Sequence, residues 1–285
     1  MAELATYLGV GAVVGFFAGL LGIGGGIIIV SSLALMFTAH AFPPDSVMRL
    51  AIGTSLAAII AGSLASFRAH HRHGAVDWEL VRVMLPGLLS GVVVGAVIAR
   101  FAPTAFLKYF FLGFMALLTT QMTLNIRPKA SRELPGRGGL IAMAVFIGLV
   151  SSLFGGGAAA IGVPFLTWCN MTTHRAIGTV AAMGFPLAIA GTVGYVVAGW
   201  NVEGLPEWSL GYIYLPAFVG ISITSMLVAP WGARLAHRLK GSTLRRVFAV
   251  FLIVMGIKVA ISVVIRLGSA RPSRASRCGR DRPTA

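Results

Sequence analysis

The stretch "FAGLLGIGGGIIIV", Phe17–Val30, carries no charged side chain, yet five of the eight residues 19–26 are glycine. It lies inside a charge-free run of 36 residues, Leu4–Ala39. As one straight helix such a run would extend about 54 Å, whereas the hydrocarbon core of a bilayer is about 30 Å thick. Glycine has the largest entropic cost in a helix and accepts backbone angles that other residues avoid. The glycines therefore predict a break in a membrane helix.

The composition of the whole chain agrees with a membrane setting. Of the 285 residues 57% are hydrophobic and 11% are charged, whereas soluble domains carry about 25% charged residues. Further apolar runs, each near or above the roughly 18 residues that cross a bilayer as a helix, are Leu50–Phe67, Val83–Ala99, Tyr109–Ile126, Ala176–Val202, Trp208–Ala233 and Val247–Ile265. Because these runs do not alternate polar and apolar residues, they exclude a porin-like barrel. We predict an all-α, multi-pass membrane protein.

The net charge of +15 does not indicate nucleic-acid binding, since the basic residues lie in short loops and in the tail. We expect the Arg-rich tail, 268–285, to be disordered. The histidines of "RAHHRHG" stand among arginines, so we expect neither a metal site nor a cofactor. The two cysteines do not form a disulfide framework.

The second half of the chain repeats the landmarks of the first. A second charge-free run of 36 residues, Gly138–Thr173, also contains a glycine triplet. Each triplet is followed by an A-I-G-T tetrapeptide, Ala51–Thr54 or Ala176–Thr179, and then by a proline motif, "VMLPG" or "IYLPA". We predict two homologous repeats of about four apolar segments each, with the first and fifth segments broken at the glycines. The predicted divisions are repeats at 1–126 and 138–267, a basic loop at 127–137 and the tail.

Two topologies remain open. The basic loops 68–82, 127–137 and 234–246 hold three, four and five Lys or Arg residues, and such loops belong in the cytoplasm. Eight full crossings would put the last two loops on opposite sides. If the first and fifth segments enter and leave on the same side, all three loops share the cytoplasm, and the second half is inverted relative to the first. That alternative is typical of secondary transporters, although it places the Arg-rich tail outside.

The interior offers neutral hydrogen-bond donors, because no charged residue lies at the centre of an apolar segment except Lys258 near the last one. Amide groups at the N-termini of half-helices hold anions well, and hydroxyl groups add donors. We therefore predict an anion site, with basic residues at its entrance. The predicted binding residues are Gly24, Gly25, Gly26, Thr54, Ser55, Gly155, Gly156, Gly157 and Thr179, and the entrance residues are Arg49, His174 and Arg175.

Structural alternatives exist for several of these residues. Thr54 and Thr179 could bond to carbonyl groups of their own helices, and Arg49 and Arg175 could be anchors at the membrane surface. For the single glycines spaced by four residues we favour close helix packing over a binding role; these are Gly11, Gly15, Gly19, Gly91 and Gly95.

Taken together, "GFFAGLLGIGGG" with "RLAIGTSLAA", the stretch "HHRHGAVDWELVRVMLPGLLSG", and "GLVSSLFGGGAAAIGVP" with "HRAIGTVAAMGF" resemble the TauE/SafE family of sulfite exporters. The resemblance covers about residues 4–266. It implies a carrier of sulfite, other sulfur oxyanions or organosulfonates in the bacterial inner membrane. Val180 stands where the first half has Ser55, so the two half-sites are not chemically equal.

The leading hypothesis is a secondary transporter that exports a small sulfur-containing oxyanion, with a proton as the possible coupling ion. A passive anion channel and a carrier for another organic anion are the alternatives. A membrane enzyme would need a reactive cluster at membrane depth, and the sequence shows none. The expected partners are the anion and the lipid bilayer, without nucleic acid.

Overall fold

The computed structural model describes residues 2–21, 25–123, 133–236 and 250. This part of the chain is helical apart from one short antiparallel hairpin. In chain order its elements are α1 (Ala2–Leu21), α2 (Gly26–Ala39), α3 (Val47–Arg72), α4 (Trp78–Phe101), α5 (Thr104–Thr123), α6 (Arg137–Phe154), α7 (Ala159–Trp168), α8 (Thr173–Gly199), β1 (Ser209–Leu210), β2 (Ile213–Tyr214) and α9 (Leu215–Ala236).

Four helices are long and apolar enough to span a bilayer: α3, α4, α6 and α8, with 26, 24, 18 and 27 residues. Shorter apolar helical segments lie in α1, α2, α7 and α9. The predicted all-helical membrane architecture is therefore confirmed at this level. The last apolar run, Val247–Ile265, and the tail lie outside the described residues except for Val250.

The bundle has two ends, which we call the Asp77 end and the Tyr214 end after the residues that precede α4 and α9. At the Asp77 end, α3 finishes at Arg72, and α8 begins beside Asp77, whose carboxylate Oδ2 lies 3.0 Å from an Arg175 nitrogen. At the Tyr214 end, α8 finishes at Gly199, next to Tyr212 of the hairpin. Helix α3 thus runs antiparallel to α4 and α8.

Glycine seams hold two parallel helix pairs together. A Cβ atom on Gly11 of α1 would lie 2.7 Å from the Cα atom of Ile221 in α9, and one on Gly15 would overlap the Ser225 backbone. Helix α4 meets α6 in the same way, since Gly91 and Gly95 lie against the carbonyl groups of Val145 and Leu149.

The packing role predicted for Gly11, Gly15, Gly91 and Gly95 is confirmed by these contacts. The surroundings of Gly19 are outside the described side chains.

Helices α1 and α2 both have their outer ends at the Tyr214 end. The ring centroid of Tyr7, near the start of α1, is 5.9 Å from that of Tyr214. The ring centroid of Phe37, near the end of α2, is 5.6 Å from the same Tyr214 ring. The chain therefore enters the bundle along α1 at the Tyr214 end and returns to that same end along α2.

The outer ends of α6 and α7 both lie at the Asp77 end. Met143, near the start of α6, and Trp168, the last residue of α7, line one apolar groove of about 310 Å³ between α5, α6 and α7. Deeper in the bundle, a Cβ atom on Gly162 of α7 would lie 3.8 Å from the Ile147 side chain of α6. Helix α7 therefore runs back antiparallel to α6.

These helix ends are the ones that the re-entrant alternative requires, and the choice between the two topologies stays a prediction. Helix α5 begins at the Tyr214 end, where the Thr104 hydroxyl donates to the Asp45 carbonyl group at 2.6 Å. Helices α3, α5 and α9 consequently all run toward the Asp77 end. These are the helices that lead into the three basic loops, of which 127–132 and 237–246 lie outside the described residues.

Candidate functional site

The two glycine motifs meet inside the bundle. A Cβ atom on Gly26, the first residue of α2, would lie 2.6 Å from the carbonyl oxygen of Gly155 and 2.7 Å from the Cα atom of Gly156. Both neighbours are backbone atoms, so no side chain fits between them. We call this contact the glycine junction: Gly25, Gly26 and the turn Gly155–Gly157.

The backbone at the junction turns through left-handed conformations. Gly155 ends α6 with φ of 73°, and Gly25 precedes α2 with φ of 66°. L-residues rarely adopt these angles, because the Cβ atom approaches the following carbonyl oxygen. Gly157, the last residue of this turn, has nothing within 4 Å of its Cβ position. Gly24 lies outside the described residues.

Two helix N-termini point into the junction. Helix α2 begins at Gly26 and α7 begins at Ala159, and neither Gly25 nor Ala158 caps its helix with a side-chain hydrogen bond. The first N–H groups of any helix have no acceptor within that helix. In α2 the intrahelical bonding begins with Ile29 to Gly25 O at 3.0 Å, and in α7 with Gly162 to Ala158 O at 2.8 Å. Amide donors of both helices therefore converge here.

Ser55 joins the two motifs. Its hydroxyl oxygen lies 3.1 Å from the Gly26 carbonyl oxygen and 2.9 Å from the Gly155 carbonyl oxygen, and the residue has 0% exposure. The single O–H group is shared between two carbonyl groups from different halves of the chain. In this conformation the hydrogen bonds of Ser55 link α3 to α2 and to the α6–α7 turn.

The Thr54 and Thr179 hydroxyl groups bond to the two residues that name the ends of the bundle, Tyr214 and Asp77. The Thr54 hydroxyl accepts the N–H group of Tyr214 at 3.0 Å, and the Thr179 hydroxyl accepts the N–H group of Asp77 at 3.0 Å. Both threonines are completely buried. The first A-I-G-T tetrapeptide thus contacts the residues before α9, and the second contacts the residues before α4. Each tetrapeptide therefore packs against the other half of the chain.

The glycines of the tetrapeptides make matching contacts. Gly53 lies against the Tyr212 carbonyl group, and Gly178 lies against the Ala75 carbonyl group. In each case that carbonyl group comes two residues before the N–H group that the threonine accepts. The proline motifs do not match in this way, because Pro86 lies in the interior of α4 and Pro216 lies in the first turn of α9.

The predicted entrance residues separate to the two ends of α4. Arg49 donates to the carbonyl groups of Ala99 and Ala102 at the end of α4, at 2.9 and 2.7 Å, and to Asp45 at 2.9 Å. Arg175 pairs with Asp77 at the start of α4, and its side chain is 58% exposed. A helix of 24 residues is about 36 Å long, so these arginines face opposite ends of the bundle.

His174 is exposed beside Arg175 at the Asp77 end, close enough to His70 for their charges to interact. Within the described ranges, no group of three His, Cys, Asp or Glu side chains is arranged to hold a metal ion.

Sequence reasoning missed three polar features of the bundle. Asp77 caps α4, since its Oδ1 atom accepts the Leu80 N–H group at 3.2 Å. The Tyr195 hydroxyl donates to the Ser152 carbonyl group at 3.0 Å. Ser151 and Ser152, in the last turn of α6, are buried with hydroxyl groups that have no partner among the described residues. The sequence signals were an aspartate ahead of "WEL" and a serine pair ahead of "LFGGG".

Comparison with known proteins identifies the family. The sequence profile described as sulfite exporter TauE/SafE matches residues 7–259. The chain belongs to the TauE/SafE family. A "Probable membrane transporter protein" of Haemophilus influenzae is 38% identical over 253 residues, which cover 88% of this chain and 95% of the relative. A protein of Methanocaldococcus jannaschii with the same description is 26% identical over 87% of this chain and 92% of its own length.

A third relative with that description, YdhB of Bacillus subtilis, is 25% identical over 75% of this chain and 87% of its own length. No solved structure matches the chain significantly. The resemblance read from the glycine and A-I-G-T motifs is thus confirmed, and the chain is a multi-pass protein of a membrane transporter family.

Proposed function

We propose that this protein is a secondary transporter that moves a small sulfur-containing oxyanion, with sulfite as the first candidate, out of the cell across the bacterial inner membrane. The single observation that carries the proposal is the convergence of the α2 and α7 N-termini on the glycine junction. The name of the family supports the choice of sulfur oxyanion.

The electrostatics of the junction favour an anion. Each helix N-terminus carries roughly half a positive elementary charge and several unused N–H donors. None of the described junction residues is charged. The C-terminus of α6 also ends here and opposes these dipoles in part, but its Gly155 and Ser152 carbonyl groups already accept from Ser55 and Tyr195. A cation would need carboxylate groups or a cluster of carbonyl groups. Since Ser55 already donates to two carbonyl groups, the amide groups are the donors that the junction offers to a ligand.

The proposal includes alternating access between two inverted repeats. In the proposal, residues 1–126 and 138–267 are inverted repeats, and each broken segment supplies one half-helix to the site. The described contacts fit this division, because α1 pairs with α9 as α6 pairs with α4, and Thr54 docks beside Tyr214 as Thr179 docks beside Asp77. Opening one docking contact at a time would expose the junction to one end of the bundle at a time.

The charge distribution supports the proposed direction of transport. Because the helices that lead into the three basic loops run toward the Asp77 end, that end is assigned to the cytoplasm. There the exposed Arg175 and His174 would attract anions to the inner mouth, which suits an exporter. Arg49, at the opposite end, is held by three carbonyl groups, and its main role is to fix the end of α4. A proton gradient is the proposed source of energy.

Transport by purified protein in liposomes tests the proposal. Sulfite, thiosulfate, sulfate and a sulfonate are compared with and without a pH gradient, in the presence and absence of excess unlabelled anion on the opposite side. A carrier shows accelerated exchange and accumulation driven by the gradient. Conductance without exchange would establish a passive channel instead, and no flux of any of these anions would refute the anion function.

A further inference from the structure

The serines before Gly155, like Ser222 of α9, differ from most helical hydroxyl residues in the described part of the chain. A serine or threonine in an apolar helix usually bonds to a carbonyl group one turn earlier. Ser31 and Thr192 do so to Ile27 and Ala188, at 2.8 and 2.7 Å. Ser151 and Ser152 have 1% and 0% exposure, and neither hydroxyl has a partner in the described part of the chain. A buried polar group without a partner is costly, which calls for an explanation.

The position of Ser151 is fixed by the antiparallel pairing of α6 and α7. Ile147 of α6 lies opposite Gly162 of α7. Ser151 is four residues further along α6 and therefore on the same face. Because α7 runs the other way, the residue opposite Ser151 is four residues before Gly162, which is Ala158. The register thus places Ser151 at the level of the α7 N-terminus, whose first amide groups no side chain caps.

Ser152 points elsewhere. A Cβ atom on Gly95 of α4 would lie 3.1 Å from the Ser152 hydroxyl oxygen. Ser152 is therefore packed in the seam between α6 and α4, away from α7. The two adjacent serines have the same chemistry and burial but face different helices.

We propose that Ser151 is a binding residue for the anion, whose hydroxyl donates to one oxygen while the first amide groups of α7 donate to others. The inference rests on the proposed function and deepens it, because it selects ligands with several acceptor oxygens, such as sulfite, over monatomic anions such as chloride. In the first half Leu20 stands at the corresponding place, four residues before Gly24, the first glycine of its triplet, as Ser151 is four before Gly155. The hydroxyl donor therefore belongs to the second half only, and the two half-sites differ.

Ser151→Ala and its matched control Ser152→Ala test this assignment. For each purified full-length variant, sulfite and chloride affinities are measured by titration calorimetry, and the unfolding midpoint is measured without ligand. Loss of a hydrogen bond to a charged ligand weakens binding about tenfold or more. Ser151→Ala is expected to raise the Kd for sulfite by about that factor, to leave any chloride binding unchanged, and to keep or raise the unfolding midpoint. Ser152→Ala is expected to retain the wild-type Kd.

The stability readout separates ligand binding from a structural role. If Ser151 held the fold together, its replacement by alanine would lower the midpoint. An unchanged sulfite Kd in a folded Ser151→Ala protein, or an equal loss in both variants, would overturn the assignment while leaving the anion function intact. Absence of sulfite binding by the wild-type protein would instead refute the proposed function on which the inference rests.

Discussion

Replacement of Gly26 by alanine is the sharpest perturbation of the glycine junction. The backbone of Gly26 is helical, so alanine is conformationally allowed there and the change adds one methyl group only. That methyl carbon would lie 2.6 Å from the Gly155 carbonyl oxygen, whereas ordinary contact begins at 3.4 Å. The two motifs would have to separate by about 0.8 Å, because both neighbours are backbone atoms.

Overpacking of this kind costs about 1–3 kcal/mol. We expect Gly26→Ala to lower the unfolding midpoint in detergent by several degrees and to reduce sulfite exchange in liposomes. The matched control is Gly62→Ala in α3, where nothing lies within 4 Å of the Cβ position. At that site alanine should be neutral or stabilising, since it has the higher helix propensity.

The midpoint is measured by thermal scanning fluorescence, and exchange is measured with labelled sulfite. If Gly26→Ala unfolds at the wild-type temperature and exchanges sulfite at the wild-type rate, the motifs are not in contact. If Gly62→Ala is destabilised as much as Gly26→Ala, the effect comes from helix glycines in general and the reasoning fails.

Three further substitutions probe the remaining contacts. Ser55→Ala removes the hydroxyl group that links the Gly26 and Gly155 carbonyl groups. It should lower the free energy of unfolding, measured by denaturant titration, by about 1–3 kcal/mol. An unchanged free energy would show that this link does not stabilise the fold. Arg49→Lys cannot reproduce the three carbonyl contacts of the guanidinium group and should lower the unfolding midpoint, whereas a wild-type midpoint would argue against a structural role. Arg175→Gln should raise the KM for sulfite export and barely change stability, because exposed ion pairs contribute about 0–1 kcal/mol; unchanged kinetics would reduce Arg175 to an anchor.

Much of the helical architecture could be predicted because the bilayer imposes simple constraints. Long apolar runs must form helices when no water can satisfy their backbone groups. The run Gly138–Thr173 is too long for one helix, and in the structure α6 ends at Phe154 while α7 begins at Ala159. Charge counts in loops left two topologies open, because they do not show where α2 and α7 end. The aromatic contacts of Tyr7 and Phe37 with the Tyr214 ring favour the re-entrant topology.

The surroundings of the candidate site were less accessible to sequence reasoning. The repeated tetrapeptide indicated Thr54 and Thr179 as candidate binding residues, and both are buried in the structure. Their hydrogen-bond partners, however, lie 160 and 102 residues away in sequence, and no local pattern indicates such pairs. A part for these threonines in anion binding stays a prediction, as does the part of Arg175 and His174 at the entrance. Ser55 was singled out for its hydroxyl, but only the fold shows that it bridges the two glycine motifs.

The arginine pair illustrates a second limit. Arg49 stands two residues before its A-I-G-T motif and Arg175 stands one residue before its own, and such similar places suggest similar surroundings. Arg49 instead lies within reach of the last carbonyl groups of α4, whereas Arg175 meets the Asp77 carboxylate at its start. The two arginines thus meet opposite ends of the same helix, and they are offset by one residue relative to their tetrapeptides.

The most direct test of the central claim is a cryo-electron microscopy map of the protein in lipid nanodiscs with saturating sulfite. We expect density for the anion between Gly26 and Ala159, within hydrogen-bond distance of the first amide groups of α2 and α7. Density for the anion at another place in the bundle, with the glycine junction closed and unchanged, would contradict the claim.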